Sequence, residues 1–437
     1  MSRAVVIALR SHWFQLVALC AAIVALNGCV AMKPVEKKSW PQSTHLAKEI
    51  ERTEFPVPGG DDVIGRLAVV RLEKGDTLPD IARHFSLGIN AMSAANPGVD
   101  IWAPEAGQRV TLPLSFILPD SPRKGIVVNL ATMRLFSYKG AGQSLEVSTY
   151  PVGVGTKERP TPIGQMRVER KAARPTWHVP SSIAEDHRKK GDPLPAEVPP
   201  GPENPLGEYA LYLSKAGYLI HGTNKPASIG LKATNGCMRL YPEDIKILFN
   251  DTPARTPVAI VDQPYLIGQR NGVLYLEAHK PLEDAGSGAA ALNRLYADLA
   301  GIEKKSRRHL NWAKVKETVN EARGIPVPIS LESGRETDRP IEVAHPAKLY
   351  GKPEVPDLKM GKWYVLAANL PDEMEALRMA AIINHQGPPI PARVLPKSGS
   401  YRVVAGPFND ASEAQSAARR LKIDLQIEGV LFEAAKA

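Results

Sequence analysis

Residues 218–223 of the chain read YLIHGT, and residues 233–240 read ATNGCMRL. The first stretch is an apolar run that predicts a β-strand ending at His221. The second places Cys237 on a glycine-bearing turn, and Pro242 follows at the start of a predicted helix. An imidazole within hydrogen-bond reach of a thiol can accept its proton, so the pair supports acyl transfer or acyl hydrolysis. Residue type alone allows no finer statement.

The composition describes an ordinary soluble chain with several domains. Its 437 residues are too many for one compact core. The net charge is +9, from 55 Lys and Arg against 46 Asp and Glu, and the basic residues are scattered. A scattered excess favours anionic surfaces over a nucleic-acid groove, so we expect no nucleic-acid partner. The sequence contains neither a zinc-ligand spacing nor a phosphate-loop context, so we expect no metal and no cofactor.

The N-terminus predicts export. Residues 1–28 begin with a positive segment, and the apolar run at 13–26 is too short for a comfortable membrane span. The sequence LNGC at 26–29 resembles a bacterial lipobox, which implies that Cys29 is lipidated and anchors the protein to a membrane. Val30 after it favours the outer membrane. A plain secretory signal with an incidental cysteine is the alternative.

The three cysteines have different fates in this interpretation. Cys20 lies in the signal core, and Cys29 would carry lipid. Cys237 then remains as a single thiol in an oxidising compartment, where free thiols are usually paired or absent. Catalysis is the best explanation for a solitary exported thiol.

Composition shifts and apolar periodicity divide the chain into segments. A proline-rich segment at 179–207 is long for a loop inside a compact domain, and we interpret it as a lid, with a disordered segment as the alternative. The predicted segments are a signal peptide (1–28), a tether (29–63), a βααβ module (64–114), a mainly-β catalytic sandwich (123–262), an extension with helices (263–325), a linker (326–359) and an α+β module with a ferredoxin-like β-α-β-β-α-β order (360–437).

The combination of HGT at 221–223 with TNGCMRL at 234–240 resembles the L,D-transpeptidase catalytic domain of the YkuD type. The resemblance covers roughly residues 123–330 and extends to RPTW at 174–177 and NPLG at 204–207. It implies a mainly-β sandwich and a cysteine acyltransferase.

The resemblance also implies a role for each residue of the motif. Cys237 would be the nucleophile and His221 the proton acceptor and donor, while Gly222 would orient the imidazole through its carbonyl. Gly236 and the Cys237 amide would line the oxyanion hole. Arg239 would hold a substrate carboxylate or buttress the loop.

Three neighbours of this motif, Thr223, Thr234 and Asn235, are predicted to contact the substrate. Asn235 stands where the family often has a second histidine, and an amide can position a turn but cannot titrate near neutrality. His178 and His187 border or belong to the predicted lid, and we expect them to be solvent-facing or structural.

Two flanking modules resemble glycan-binding domains. GDTL at 75–78 and Asn-Pro at 96–97 resemble the landmarks of a LysM module, which implies binding to N-acetylglucosamine-containing glycans. A small αβ subdomain packed on the enzyme is the alternative. WYV at 363–365 and YRVVAGPF at 401–408 resemble a SPOR domain, which implies binding to glycan strands stripped of stem peptides, chiefly at division sites. A ferredoxin-like module with another partner is the alternative.

The implied reaction is peptidoglycan L,D-transpeptidation in the periplasm. A tetrapeptide stem would acylate Cys237 with release of D-Ala, and an amine would then accept the acyl group. An amine on another stem would give a 3–3 crosslink, and a lysine of an outer-membrane lipoprotein would give a protein–murein tether. Water as acceptor would give an L,D-carboxypeptidase or a murein–lipoprotein amidase. A non-catalytic peptidoglycan-binding scaffold is a third alternative.

Overall fold

The structure, a computed structural model, describes residues 52–282, 287–306, 309–331 and 339–434. The predicted signal peptide, Cys29 and the first part of the predicted tether lie outside these residues. Among the helices of the described ranges, none is both long and apolar enough to cross a membrane.

The first described segment contains the predicted βααβ module. Its elements, together with the short strands that flank it, are β1 (Glu54–Pro56), β2 (Val63–Gly65), β3 (Ala68–Arg71), α1 (Leu78–His84), α2 (Ile89–Ala95), β4 (Arg109–Leu112) and β5 (Ser115–Ile117). Helix α1 begins with a capping box, in which the Thr77 side chain accepts from the Asp80 amide and the Asp80 carboxylate accepts from the Thr77 amide. The predicted order of strand, two helices and strand is confirmed, while the LysM identity stays a prediction.

The catalytic region is built mainly from strands. In chain order its elements are β6 (Gly125–Asn129), β7 (Arg134–Lys139), β8 (Glu146–Pro151), β9 (Val154–Gly155), β10 (Gly164–Ala173), β11 (Trp177–His178), α3 (Ser181–Lys189), β12 (Glu197–Val198), β13 (Tyr209–Leu213), β14 (Leu219–His221), β15 (Lys232–Thr234), β16 (Met238–Arg239), α4 (Pro242–Asp251) and β17 (Pro257–Val261). Nine strands form one mixed sheet in the order β1-β8-β7-β6-β17-β10-β13-β14-β16. The pairs β6–β17 and β14–β16 are parallel, and the other neighbours are antiparallel.

Apolar side chains cover both faces of this sheet around strands β6, β7, β8 and β17, because successive residues of a strand point to opposite sides. Ile126 and Val128 of β6 join a core that includes Ile245 of helix α4. Val127, between them, joins the second core, which continues into the βααβ module through residues such as Leu78. The module therefore covers one face of the catalytic sheet.

Buried polar contacts reinforce this junction. The Ser86 hydroxyl donates to the Asp244 carboxylate at 2.8 Å, and the Arg134 guanidinium donates to the Ser86 carbonyl at 3.1 Å. The Tyr241 hydroxyl donates to the Leu87 carbonyl at 3.0 Å. Since Tyr241 and Asp244 lie just after the β16 strand, the module supports the segment that follows the candidate nucleophile.

The described residues between 263 and 331 form a separate layer beside the sheet. Its elements are β18 (Tyr265–Arg270), β19 (Val273–Ala278), α5 (Ser287–Ser306), α6 (Trp312–Glu321) and β20 (Val327–Pro328). The three strands form one sheet, and the two helices pack on it through a leucine-rich core that includes Leu276 and Leu299. Strand β20 shows that this layer continues past residue 325, where the sequence predicts a linker.

The C-terminal module has the predicted β-α-β-β-α-β order. After β21 (Ile341–Glu342), its elements are β22 (Trp363–Leu370), α7 (Glu373–Asn384), β23 (Ala392–Lys397), β24 (Ser400–Phe408), α8 (Ala411–Leu425) and β25 (Val430–Glu433). The sheet order is β23-β24-β22-β25, and small residues such as Ala376 and Ala417 bring both helices close to it.

The prediction of a tether up to residue 63 is wrong for its described part. Strand β1 pairs with β8 at the edge of the nine-stranded sheet, and Phe55 and Val57 are buried. Their alternation with prolines suits an edge strand, since proline lacks the amide that an inner strand must donate.

The linker prediction for 326–359 is also wrong over much of its length. Strand β21 pairs with β3 of the βααβ module, and Val343 and Leu349 are buried. Asp76 of the module binds both His345, at 2.9 Å, and Lys352, at 2.9 Å. A two-residue strand is too short to produce a periodic signal, so composition alone suggested a tether.

The C-terminal module accordingly packs on the rest of the protein. Four contacts describe this docking: Arg378 with Asp100 at 2.5 Å, His385 with Asp80 at 3.1 Å, Lys225 with Asp424 at 3.3 Å, and the Arg419 guanidinium with the Gly191 carbonyl at 3.0 Å. These contacts join polar groups that are distant in sequence, and hydrophobic periodicity does not report such contacts.

The buried Asp244 predicts a pH dependence of stability. Burial raises the pKa of Asp244 to about 7 from its ordinary value of 3.8. Between these values the folded protein keeps a proton that the unfolded chain releases, so the contribution of Asp244 to stability is largest below about pH 4 and falls as pH rises towards 7. We expect the free energy of unfolding to fall less with pH in Asp244→Asn than in wild type. A difference of 1 kcal/mol in this free energy shifts the melting temperature by about 2–4 °C for a domain of about 150–250 residues.

Thermal melts at pH 5 and pH 7 measure the effect. Asp251→Asn is the matched control, since Asp251 lies on the same helix and its pair with Lys139 is part-exposed. An equal pH dependence in wild type and Asp244→Asn would contradict the prediction.

Candidate active site

The predicted catalytic pair lies on two parallel neighbouring strands. His221 is the last residue of β14, and Cys237 immediately precedes β16. In the parallel register His221 stands opposite Arg239, and Ile220 stands opposite Met238. Cys237 is therefore two register positions from His221, on the adjoining strand.

The backbone fixes the tautomer of His221. Its Nδ1 lies 2.7 Å from the Gly222 carbonyl oxygen. A carbonyl can only accept, so Nδ1 must carry the hydrogen and Nε2 must carry the free lone pair. Burial, with a smaller contribution from the Arg239 charge, lowers the pKa of His221 to about 3. The ring is neutral, and Nε2 is available to accept a proton.

The Cys237 thiol is also neutral in this environment. The residue is half-buried, and burial raises the pKa of the Cys237 thiol, while the Leu219 amide and the Arg239 charge offset part of that rise. The sulfur lies 3.6 Å from the Gly217 carbonyl, which accepts from the thiol. The resting site therefore pairs a thiol with an imidazole, without a separated charge.

Thr234 holds the loop before the cysteine in shape. Its hydroxyl donates to the Cys237 carbonyl at 2.6 Å and accepts from the Gly236 amide at 3.1 Å. Gly236 has φ +102°, and a Cβ there would lie 2.8 Å from a ring carbon of Tyr218. The position accordingly favours glycine for both its backbone angle and its close approach.

Arg239 is a part-buried cation close to both members of the pair. Its charge acts on both the His221 and Cys237 side chains. Within the described residues it forms no ion pair, and its buried Nε has no hydrogen-bond partner. A guanidinium of this kind is suited to bind a carboxylate from outside the chain.

Comparison with known proteins agrees with this geometry. Residues 123–260 match the family model of the L,D-transpeptidase catalytic domain, and residues 359–432 match that of the SPOR domain. "Probable L,D-transpeptidase ErfK/SrfK" of Escherichia coli strain K12 is 42% identical over 233 residues, which cover 52% of this chain and 74% of that protein. "Probable L,D-transpeptidase YcfS" of the same strain is 35% identical over 279 residues, covering 63% and 81%. The chain belongs to the L,D-transpeptidase family.

The family match confirms both the L,D-transpeptidase and the SPOR resemblance. The structure adds the hydrogen bond between His221 and Gly222, which the resemblance to L,D-transpeptidases implied. It changes the interpretation of Gly236, because the Gly236 amide already donates to the Thr234 hydroxyl. The Cys237 amide remains as a predicted donor to an oxyanion.

Two of the three predicted substrate contacts are not supported in this L,D-transpeptidase. Thr223 and Thr234 are buried, and their hydroxyls bind neighbouring backbone groups. Thr223 accepts from the Lys225 amide at 2.9 Å, which shapes the turn after His221. Ser and Thr hydroxyls commonly hydrogen-bond to neighbouring backbone groups in turns, and sequence alone does not separate this use from contact with a substrate.

The third predicted contact, Asn235, is exposed and reveals a residue that the sequence analysis missed. Its side-chain oxygen accepts from Arg159 at 2.7 Å, and Arg159 also pairs with Asp186 of helix α3 at 2.6 Å. Arg159 lies in a short loop without motif or periodicity, so no sequence signal pointed to it. His178 and His187, which border or belong to the predicted lid, pair with the carboxylates of Glu197 and Asp192.

Replacing Thr234 tests its assignment to loop geometry. Thr234→Val removes the hydroxyl and leaves the Gly236 amide without its acceptor, which costs about 1–3 kcal/mol when buried. We expect turnover of a tetrapeptide muropeptide to fall by about 10- to 100-fold, if that energy is lost from the reactive geometry. Thr234→Ser keeps the hydroxyl and should retain most activity. Equal rates for the Val and Ser variants would show that the hydroxyl does not hold the loop.

Proposed function

We propose that the protein is a peptidoglycan L,D-transpeptidase whose nucleophile is Cys237 and whose base is His221. The observation that carries the proposal is the hydrogen bond from His221 Nδ1 to the Gly222 carbonyl. It leaves Nε2 unprotonated on the strand beside Cys237. A neutral imidazole with a defined lone pair is the form that general-base catalysis requires.

In the first half-reaction the thiol attacks the diaminopimelate carbonyl of a tetrapeptide stem. The Cys237 side chain turns from the Gly217 carbonyl towards His221, and Nε2 takes the thiol proton as the carbon–sulfur bond forms. Collapse of the tetrahedral intermediate breaks the carbon–nitrogen bond to D-Ala. His221 returns the proton to the leaving amine, so the products are free D-Ala and a thioester.

In the second half-reaction an amine attacks the thioester and regenerates the thiol. His221 accepts the proton of the attacking amine and returns it to sulfur. The favoured acceptor is a side-chain amine of another stem or a lysine of an outer-membrane lipoprotein. The Cys237 amide would stabilise the oxyanion in both steps, since a preorganised backbone donor is effective in a part-buried site.

Arg239 supplies substrate recognition in this proposal. Its buried guanidinium lacks an ion-pair partner within the described part of the chain. A stem-peptide carboxylate would bind there and would be placed beside both reacting side chains. Arginine suits this task because its planar donors can bind a carboxylate in a bidentate manner.

The flanking regions would bring the enzyme to its substrate. We infer that the SPOR domain binds glycan strands and that the βααβ module serves as a LysM-like glycan contact as well as a support for the sheet. Lipidated Cys29 would anchor the protein at the periplasmic face of the outer membrane, with enrichment at the division site.

Substitution of the nucleophile tests the proposal. Incubation with a defined tetrapeptide muropeptide should release D-Ala and give a covalent adduct on wild-type protein, detected by intact mass. Cys237→Ala should form no adduct and release no D-Ala. His221→Ala should fold normally and react about 10²–10⁴-fold more slowly.

The products of the same incubation identify the acceptor. A 3–3 crosslinked dimer, or a muropeptide attached to a lysine of an added lipoprotein, supports the transferase. Tripeptide alone in the presence of excess amine acceptor would indicate a hydrolase instead. D-Ala release that persists in Cys237→Ala would contradict the assignment of the nucleophile.

A further inference from the structure

The Arg159 side chain links two segments of the chain that are distant in sequence. One guanidinium nitrogen donates to the Asn235 side-chain oxygen at 2.7 Å, and another donates to the Asp186 carboxylate at 2.6 Å. Asn235 lies two residues before Cys237, and Asp186 lies in helix α3 of the predicted lid. One side chain thus links the lid helix to the loop of the nucleophile.

Helix α3 depends on such contacts because none of its apolar side chains is fully buried. None of its residues is buried. Burial of an apolar face is what usually fixes a short helix on a protein, since isolated helices of this length are marginal in water. Two kinds of contact therefore determine the position of the helix. One is its polar contacts, and the other is the short pairing of β11, which precedes the helix, with β12, which follows it.

Arg159 also contacts the loop that precedes Cys237. Thr234 holds the loop from within, while Arg159 reaches its exposed side through Asn235. The Arg159 loop is itself fixed, because the Thr156 amide donates to the Thr234 carbonyl at 3.0 Å. A change in the position of helix α3 would therefore be transmitted to the residues beside Cys237.

We propose that Arg159 is a positioning residue that couples the position of helix α3 to the geometry of the Cys237 loop. The catalytic part of this inference rests on the proposed function of Cys237, whereas the structural coupling does not. A part-exposed ion pair contributes little to stability. We therefore expect loss of Arg159 to act mainly on the reaction rate, because small displacements of reacting groups change rates strongly.

Four variants separate the two arms of the contact. Arg159→Ala removes both, Asp186→Asn weakens the lid arm, and Asn235→Ala removes the loop arm. Arg159→Lys keeps the charge but lacks the planar fork that binds two partners at once. Arg188→Ala is the control, because Arg188 lies on the same helix and, among the residues that the structure describes, pairs within that helix with Glu185.

Hydrogen exchange of residues 181–189 reports on the lid arm. We expect exchange to become about two- to fivefold faster in Arg159→Ala and Asp186→Asn, which corresponds to the loss of a part-exposed pair. Arg188→Ala and Asn235→Ala should leave it near wild type. Exchange at 181–189 that does not change in Arg159→Ala would overturn the coupling.

Steady-state kinetics report on the loop arm. We expect kcat to fall by on the order of 10-fold in Arg159→Ala, Asn235→Ala and Asp186→Asn, with smaller changes in KM. Asp186→Asn is decisive, since within the described ranges the contact of Asp186 towards this loop is the one with Arg159. Arg159→Lys should restore exchange protection better than it restores kcat.

An alternative role predicts a different pattern. If Arg159 bound the substrate directly, Arg159→Ala would raise KM, and Asp186→Asn would leave kcat unchanged; that result would overturn the proposal. Exchange measured in a Cys237→Ala background distinguishes this failure from failure of the proposed function. If residues 181–189 stay protected from exchange in Cys237→Ala and this variant also keeps its activity, the assignment of the nucleophile is refuted. The coupling through Arg159 is then still intact.

Discussion

The parallel pairing of β14 with β16 is the constraint on which the active site depends. Parallel strands cannot be joined by a tight hairpin, so the chain needs a crossover between His221 and Cys237. Residues 222–236 supply it, and β15 within it pairs with β9. The separation of the two catalytic residues in sequence therefore has a structural reason. It also explains why the turn residues on both sides, Thr223 and Thr234, are committed to backbone contacts.

Desolvation sets the charge state of the pair. It lowers the pKa of His221 and raises that of Cys237, so the resting site keeps both groups neutral. The Arg239 charge favours the thiolate but disfavours the imidazolium, so it does not by itself drive proton transfer. The proton must then move as the carbon–sulfur bond forms, when the substrate carbonyl oxygen takes up the negative charge.

Much of the fold could be predicted because it is encoded locally. Strands such as β6 and β17 show apolar runs, and helix α1 shows its capping residues. The motif around Cys237 identified the family. Contacts between distant polar residues were not predictable, since a half-buried Arg159 or Arg378 has no periodicity and its partner is set by the tertiary fold. Strands of two or three residues, such as β1 and β21, were missed for lack of length, and helix α3 was missed because it has no apolar face.

The central claim is that the site rests as a neutral thiol and imidazole. Ultraviolet absorbance of the thiolate, recorded across pH with Cys237→Ala as the blank, measures it directly. We predict that Cys237 gives no thiolate signal at neutral pH. The signal should appear only at a pH above the pKa of an ordinary cysteine thiol. A thiolate signal that persists into mildly acidic solution would contradict this account, because it would show a preformed thiolate–imidazolium pair.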